Sequence, residues 1–327
     1  MSIYIQSLFI AIPLFILLII IEEWVAKKQH IVINNPEDMI ASLSSGLTDT
    51  IKAGIKFSLA IISYSWLVES ITIYKIEPTW IAIIIAFITQ DFAGYWLHRL
   101  NHRINILWNK HVIHHSSEEF NLSCALRQSI SDTVNFSALF MIPAAIVGIP
   151  SYIFAIITPI HLFLQFWYHT RLIDQLGWLE HIIVTPSHHR VHHAINSEYI
   201  DKNYGQIFIV WDKIFGTFQP ELNNISIKYG ILKQANTWNP IIINFKHIWQ
   251  LCQDAWNTKL LINKIKIWFM PTGWRPQDLI IKNPIKIIHN PSKQIKYKTK
   301  NPSNLIYWSW FQLFITSVFM FHLFIIF

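Results

Sequence analysis

Residues 79–103 read TWIAIIIAFITQDFAGYWLHRLNHR. The run over 79–97 is apolar enough, at 1.5 Å rise per residue, to cross a bilayer as one helix. It ends in two histidines four residues apart, His98 and His102, and holds one acid, Asp91. Positions 91, 95, 98 and 102 follow helical spacing, so the carboxyl shares a face with both imidazoles. A carboxylate at that depth is costly and usually functional. The stretch predicts an all-α, polytopic helical membrane protein with its chemistry at one membrane edge, in a His-rich di-metal cap.

Composition agrees. Only 14% of the 327 residues are charged and 52% are hydrophobic, against about 25% charged in soluble domains. Further runs at 3–21, 53–73, 131–148, 151–168 and 304–326 bring the expected spans to six. Six spans put every basic cluster on one side: Lys27 and Lys28, Lys52 and Lys56, Arg99, Arg103 and Lys110, Arg171, and the lysines of 276–303. The positive-inside rule makes that side the cytoplasm. The net charge of +7 is thereby placed in loops, and no nucleic-acid partner is expected. Two cysteines, Cys124 and Cys252, are too few for a disulfide framework. The expected division is 1–78 membrane anchor helices, 79–275 catalytic core of membrane helices and cap, 276–303 basic linker and 304–327 C-terminal membrane helix.

The cap carries HVIHH at 111–115 and HRVHH at 189–193. Offsets of i, i+3 and i+4 place imidazoles side by side on a helix. Eight clustered imidazoles repel one another if protonated and need partners if buried and neutral. Metal ligation answers both, because neutral imidazole is the commonest metal ligand. One tetrahedral zinc takes four ligands, so eight or nine nitrogens imply two metals. All-nitrogen donors suit Zn, Fe, Cu or Ni. A site where a lipid chain can reach it favours redox chemistry with oxygen, which zinc cannot perform.

HRLNH, HVIHH and HRVHH resemble the histidine boxes of the fatty acid hydroxylase/sterol desaturase superfamily of membrane di-iron oxygenases. The stretches around them, SSEEFNLSCALRQS, QFWYHTRLIDQLGWLE, TPSHHRVHHAIN and DKNYGQIFIVWDKIFGTF, are similar to its alkylglycerol monooxygenase (glyceryl ether monooxygenase) family, over roughly 90–275. The resemblance implies a di-iron lipid monooxygenase that uses O2 and tetrahydrobiopterin. Such an enzyme cleaves the ether bond of an alkylglycerol to a fatty aldehyde and a glycerol derivative. It makes His98, His102, His111, His114, His115, His189, His192 and His193 iron ligands, with His169 a ninth. Asp91 is expected to orient a ligating imidazole. Glu118 is a candidate catalytic-site residue beside the second box, to ligate metal or bind the pterin ring, with a solvated acidic pair with Glu119 as the alternative. Asn121, Arg127 and Gln128 are candidates for the cofactor or substrate pocket. His188 is expected to donate to a ligand, and His161 stands between a satisfied core residue and a member of the site.

The alternatives are a sterol or fatty-acyl hydroxylase or desaturase of the same superfamily, and, less favoured, a metal transporter. The first draws electrons from an external donor protein, since the sequence has no haem-attachment motif. The expected location is an integral membrane, multi-pass, with the site facing the cytoplasm. Ile, Asn and Lys usage suits an AT-rich microbial genome, hence a bacterial inner membrane, or the endoplasmic reticulum in a eukaryote.

Overall fold

The computed structural model describes residues 3–55, 59–77 and 79–326. Met1, Ser2, Lys56 with residues 57–58 of the expected second span, Pro78 and Phe327 lie outside the described residues.

Among the described residues three helices are long and apolar enough to cross a membrane: α1 (Ile3–Lys28), α4 (Trp80–Arg103) and α15 (Ser303–Ile326). Between the first two, α2 (Pro36–Gly54) starts at Asn35, whose side chain accepts from the amides of Glu37 and Asp38, with Pro36 in the first turn. That cap satisfies two of the helix's orphan donors. α2 packs along α15.

None of the other three expected spans is helical over its whole length. The 53–73 stretch breaks at β1 (Leu59–Ala60) and resumes as α3 (Tyr64–Ile71), capped by Ser63. The 131–148 stretch divides into β2 (Val134–Asn135), a 3-10 turn (Ser137–Met141) and α8 (Ile142–Ile146). β1 and β2 pair in parallel. Pro143 supplies no amide proton, and Gly148 has φ of +68°, so no helix runs through both. The 151–168 stretch is helical only as α9 (Ser151–Leu164). At 1.5 Å per residue α9 is roughly 21 Å long, short of the ~30 Å hydrocarbon core. Irregular backbone at such depth must be satisfied within the protein. Here the amides of Ile73 and Ile76 donate to the carbonyls of Ile146 and Val147 at 2.9 and 3.1 Å, and Tyr64 Oη donates to Ile149 O at 2.8 Å. Ala82 and Ala86 of α4 let Ile153, Phe154 and Ile157 of α9 pack close.

The remaining helices build the cap: α5 (Asn105–Trp108), α6 (Val112–His115), α7 (Leu122–Ala125), α10 (Pro186–His192), α11 (Val210–Ile214), α12 (Pro240–Asn257), α13 (Leu261–Phe269) and α14 (Gln277–Lys282). The C-terminal ends of α1, α4 and α9 and the start of α15 meet at this cap. Glu22 of α1 accepts from Leu122 N at 2.8 Å and Thr170 Oγ1 at 2.6 Å. Just before α15, Asn301 Nδ2 donates to Glu37 at 3.1 Å. At Gly46 α2 lies so close to α7 that an added Cβ would stand 2.5 Å from Leu126 O.

Candidate metal centre and adjoining cavity

The nine histidines singled out by sequence converge into two nests. His98, His102, His111, His115 and His192 form one; His114, His169, His189 and His193 form the other. Within each nest the donor nitrogens lie within 4.8 Å of one another. Successive helical residues point about 100° apart, so the adjacent pairs His114/His115 and His192/His193 each send one ring to each nest. Every i, i+4 pair stays together: His98 with His102, His111 with His115, and His189 with His193.

Backbone carbonyls set the tautomers of four rings. Nδ1 of His98, His169 and His192 lies 2.8, 3.0 and 2.9 Å from the carbonyls of Tyr204, Gln165 and Lys202, and Nδ1 of His114 lies 3.3 Å from that of Arg127. A carbonyl only accepts, so Nδ1 carries the proton and Nε2 of a neutral ring is bare. His114 and His169 are both of this kind, yet their Nε2 atoms stand 3.4 Å apart. Two bare lone pairs at that distance repel unless a cation lies between them. The other Nε2 to Nε2 separations are 2.9 Å (His98–His111, His169–His189), 3.0 Å (His189–His193) and 3.1 Å (His115 to both His102 and His192). Nitrogens held about 2.1 Å from one metal stand about 3.0 Å apart at right angles and about 3.4 Å apart at tetrahedral angles. The donor set therefore fits a metal in each nest.

Electrostatics keep the rings in the ligating form. Burial first, and neighbouring imidazoles second, hold His111, His115, His169, His189, His192 and His193 well below the ordinary imidazole range. The same causes put His114 at about 3.

Asp91 is fully buried, and its hydrogen bonds go to none of the nine rings. Its Oδ1 accepts from His161 Nε2 at 3.0 Å and Ile207 N at 2.8 Å; its Oδ2 accepts from Phe208 N at 3.1 Å and Trp211 Nε1 at 2.8 Å. It fastens α4 to α9 and to the loop entering α11. A chain leads on to the second nest: Gln165 Nε2 lies 2.9 Å from His161 Nδ1, and Gln165 O takes the His169 proton. His188 is outside both nests; its Nδ1 accepts from Thr185 N at the start of α10.

Glu118 accepts from Gln234 Nε2 at 2.7 Å and Tyr297 N at 2.6 Å, tying the basic linker to the cap. Asn121 caps α7 and donates to Ile33 O at 2.9 Å and Asn34 Oδ1 at 2.7 Å. Arg127 is buried. Its Nη2 pairs with Asp38 Oδ1 at 2.7 Å, while Nε and Nη1 reach Ser42 and Ser116. Gln128 is exposed, and its carbonyl accepts from Ser45 Oγ.

Two further acids anchor the site: Asp212, which the sequence offers only as a pocket or loop candidate, and Glu22, which it does not offer at all. Asp212 accepts from Tyr204 N and Gly205 N, both at 2.7 Å, and so fixes the carbonyl that orients His98. Glu22 reads in sequence as a mere flank of the first span. Its link to Thr170, the residue after His169, had no local signal.

Beside the five-membered nest lies a cavity of about 660 Å³. His102, His115 and His192 form part of its wall, with Trp108, Ile195, Ile243 and Leu251 among the apolar lining.

Residues 83–217, which contain all nine rings, match the family described as fatty acid hydroxylase, so the chain carries a domain of that family. Along its greater length it is related to alkylglycerol monooxygenases. It is 39% identical to the human protein over 273 residues, covering 81% of this chain and 59% of that one. It is 35% identical to the Xenopus tropicalis protein over 306 residues, covering 92% and 66%. A more distant relative is ornithine lipid hydroxylase OlsE of Rhizobium tropici, 30% identical over 154 residues, 47% of this chain and 46% of that one. The chain spans about three-fifths of the length of the human relative. No solved structure matches it.

Proposed function

We propose that this protein is a membrane di-iron monooxygenase, with one iron in each nest. It cleaves the ether bond of alkylglycerols to a fatty aldehyde and a glycerol derivative. The observation that carries the reading is the pair of adjacent nests with converging bare Nε2 atoms, inside a fatty acid hydroxylase domain. The names of the relatives at 35–39% identity support ether lipid as the substrate class.

Bound iron supplies the activation of O2 that oxidising an unactivated C–H bond requires. In the overall reaction one oxygen atom enters the C–H bond beside the ether oxygen and the other leaves as water. Tetrahydrobiopterin, when bound, would supply the two electrons, and the hemiacetal product would fall apart to aldehyde and alcohol. The protein's own part is positional. Carbonyls of Tyr204, Lys202, Gln165 and Arg127 hold four rings with Nε2 inward. The cavity brings a lipid to His102, His115 and His192. Asp91 acts through His161 and Gln165 on the second nest; Glu118, Asn121, Arg127 and Gln128 shape the cap around it.

The site faces the cytoplasm in this reading. Lys27, Lys28, Arg103 and the lysines of 276–303 belong to the same end of the spanning helices as the cap, as the positive-inside rule requires. We keep the division into 1–78, 79–275, 276–303 and 304–327 as part of the proposal, with the 53–73 stretch of the first part and the 131–148 and 151–168 stretches of the second broken as described above.

The test is aldehyde release from a 1-O-alkylglycerol by detergent-solubilised, iron-loaded protein with and without tetrahydrobiopterin. Pterin-dependent aldehyde is the expected result. No aldehyde from protein holding two irons refutes ether cleavage. It favours the second reading, hydroxylation or desaturation of another lipid with an external donor, which the relationship to an ornithine lipid hydroxylase and to sterol desaturases supports.

A further inference from the structure

The cavity beside the five-membered nest carries an unbalanced charge. Four cationic side chains line it, Arg103, Lys233, Lys246 and Arg275, against two carboxylates, Asp201 and Asp254. Arg103 Nη1 donates to Asp201 Oδ2 at 2.7 Å. Arg275 grips Asp254 through Nε at 2.6 Å and Nη2 at 2.8 Å. Those two pairs cancel. The lysines are left: Lys233 Nζ donates to Gln250 Oε1 at 3.0 Å and Lys246 Nζ to Ala235 O at 2.7 Å, both neutral acceptors. Among the described residues no carboxylate forms an ion pair with either. Each ammonium has three donors, and one is used.

The two charges feel each other. Burial first, and the Lys246 charge second, lower the Lys233 pKa from its ordinary value. His247, on the same wall, is held neutral at about 4 by burial. Two like charges on a half-buried wall oppose each other more strongly than in water. An anion between them removes that opposition and uses the free donors. Much of the remaining lining is apolar, including Ile195, Ile231, Leu232, Ile243 and Leu251. A ligand matching this wall has one doubly charged anionic group and an apolar body.

We propose that Lys233 and Lys246 form a phosphate-binding subsite, and that the preferred ligand is a phosphorylated amphiphile whose apolar part extends towards His102, His115 and His192. Resting on the function proposed above, the substrate class becomes an ether lipid bearing a phosphate monoester, in preference to an uncharged alkylglycerol.

The test is equilibrium binding by calorimetry to the full chain, using water-soluble probes: 1-O-octylglycerol 3-phosphate, 1-O-octylglycerol and inorganic phosphate. The phosphate ester is expected to bind at least roughly tenfold more tightly than the uncharged ether, as one charge-assisted contact of about 1.4 kcal/mol requires. Lys233→Gln and Lys246→Gln are each expected to lower that ratio roughly tenfold, while Lys233→Arg retains it. If the Gln variants fail to fold, the loss of preference at high salt in the unaltered protein tests the same point. Equal binding of charged and uncharged ethers overturns the subsite. Inorganic phosphate displacing the ester only weakly assigns the anion to a lipid headgroup. Inorganic phosphate binding as tightly as the ester overturns the lipid assignment. Turnover of both ethers without charge preference refutes the subsite and keeps the proposed activity; charge preference in binding without turnover of either does the reverse.

Discussion

Asp91→Asn changes one atom and disturbs four bonds. In the native protein Oδ1 accepts from His161 Nε2 and Ile207 N, and Oδ2 accepts from Phe208 N and Trp211 Nε1. An asparagine presents one oxygen and one NH2 group. Whichever way the amide turns, the NH2 faces two donors, and two buried hydrogens lose their acceptor. Each such loss costs about 1–3 kcal/mol, so the variant is destabilised by about 2–6 kcal/mol. The expected fall in the detergent melting midpoint is roughly 5–15 °C. Trp211→Phe removes one donor, leaves Oδ2 its bond from Phe208 N, and costs less. Combined with Asp91→Asn it gives the amide an orientation with a single orphaned donor. The double variant is therefore expected to be about 1–3 kcal/mol more stable than the sum of the two. Thermal unfolding of the four proteins measures this cycle, with bound iron counted in each. Strict additivity, or an Asp91→Asn protein as stable as its parent, refutes the claim that the carboxylate is saturated by these four donors.

With one iron in each nest as proposed, replacing His189 with Ala is expected to lower bound iron from two to about one per chain, read by elemental analysis; loss of neither ion contradicts the separate nests. Metal retention and stability are expected to fall together on acidification. The nest imidazoles outside α4 are held neutral when folded by burial and by their neighbours and take protons near about pH 6.5 when unfolded, so the unfolded state binds more protons below that value. The stabilisation is complete above about 6.5 and is lost as pH falls, down to about 3 for His114; a midpoint flat between pH 7 and 5 speaks against it. Arg127→Met leaves the Asp38 carboxylate buried without its partner, at a cost of about 3–5 kcal/mol, checked by thermal unfolding with iron counted because the Arg127 carbonyl also orients His114. Gly46→Ala forces a Cβ to within 2.5 Å of Leu126 O and is expected to lower the midpoint, whereas an unchanged midpoint shows that α2 moves away freely.

The sequence singled out eight of the nine imidazoles, because i, i+3 and i+4 spacing is local and a helix turns it into proximity; the ninth, His169, was singled out only through the family resemblance. It also determined α1, α4 and α15, whose apolar runs are long enough to declare themselves. It overstated the spans at 53–73, 131–148 and 151–168: hydropathy is summed over a window, while Pro143, Gly148 and the pairing of β1 with β2 act at single positions. The tertiary structure alone decided which ring goes to which nest. An offset of three and one of four are equally neighbourly in a sequence, and His169 is brought in from a different helix end. It alone decided that the buried Asp91 serves the loop at 207–211, and that Arg127 serves Asp38 across 89 residues. Only packing of α12 against α5 and α6 placed Lys246, and the stretch before α12 placed Lys233, on the cavity that holds His102, His115 and His192. Chemistry that depends on nearest neighbours along the chain is legible in one dimension; chemistry that depends on which distant surfaces exclude water together is fixed only when the chain has folded.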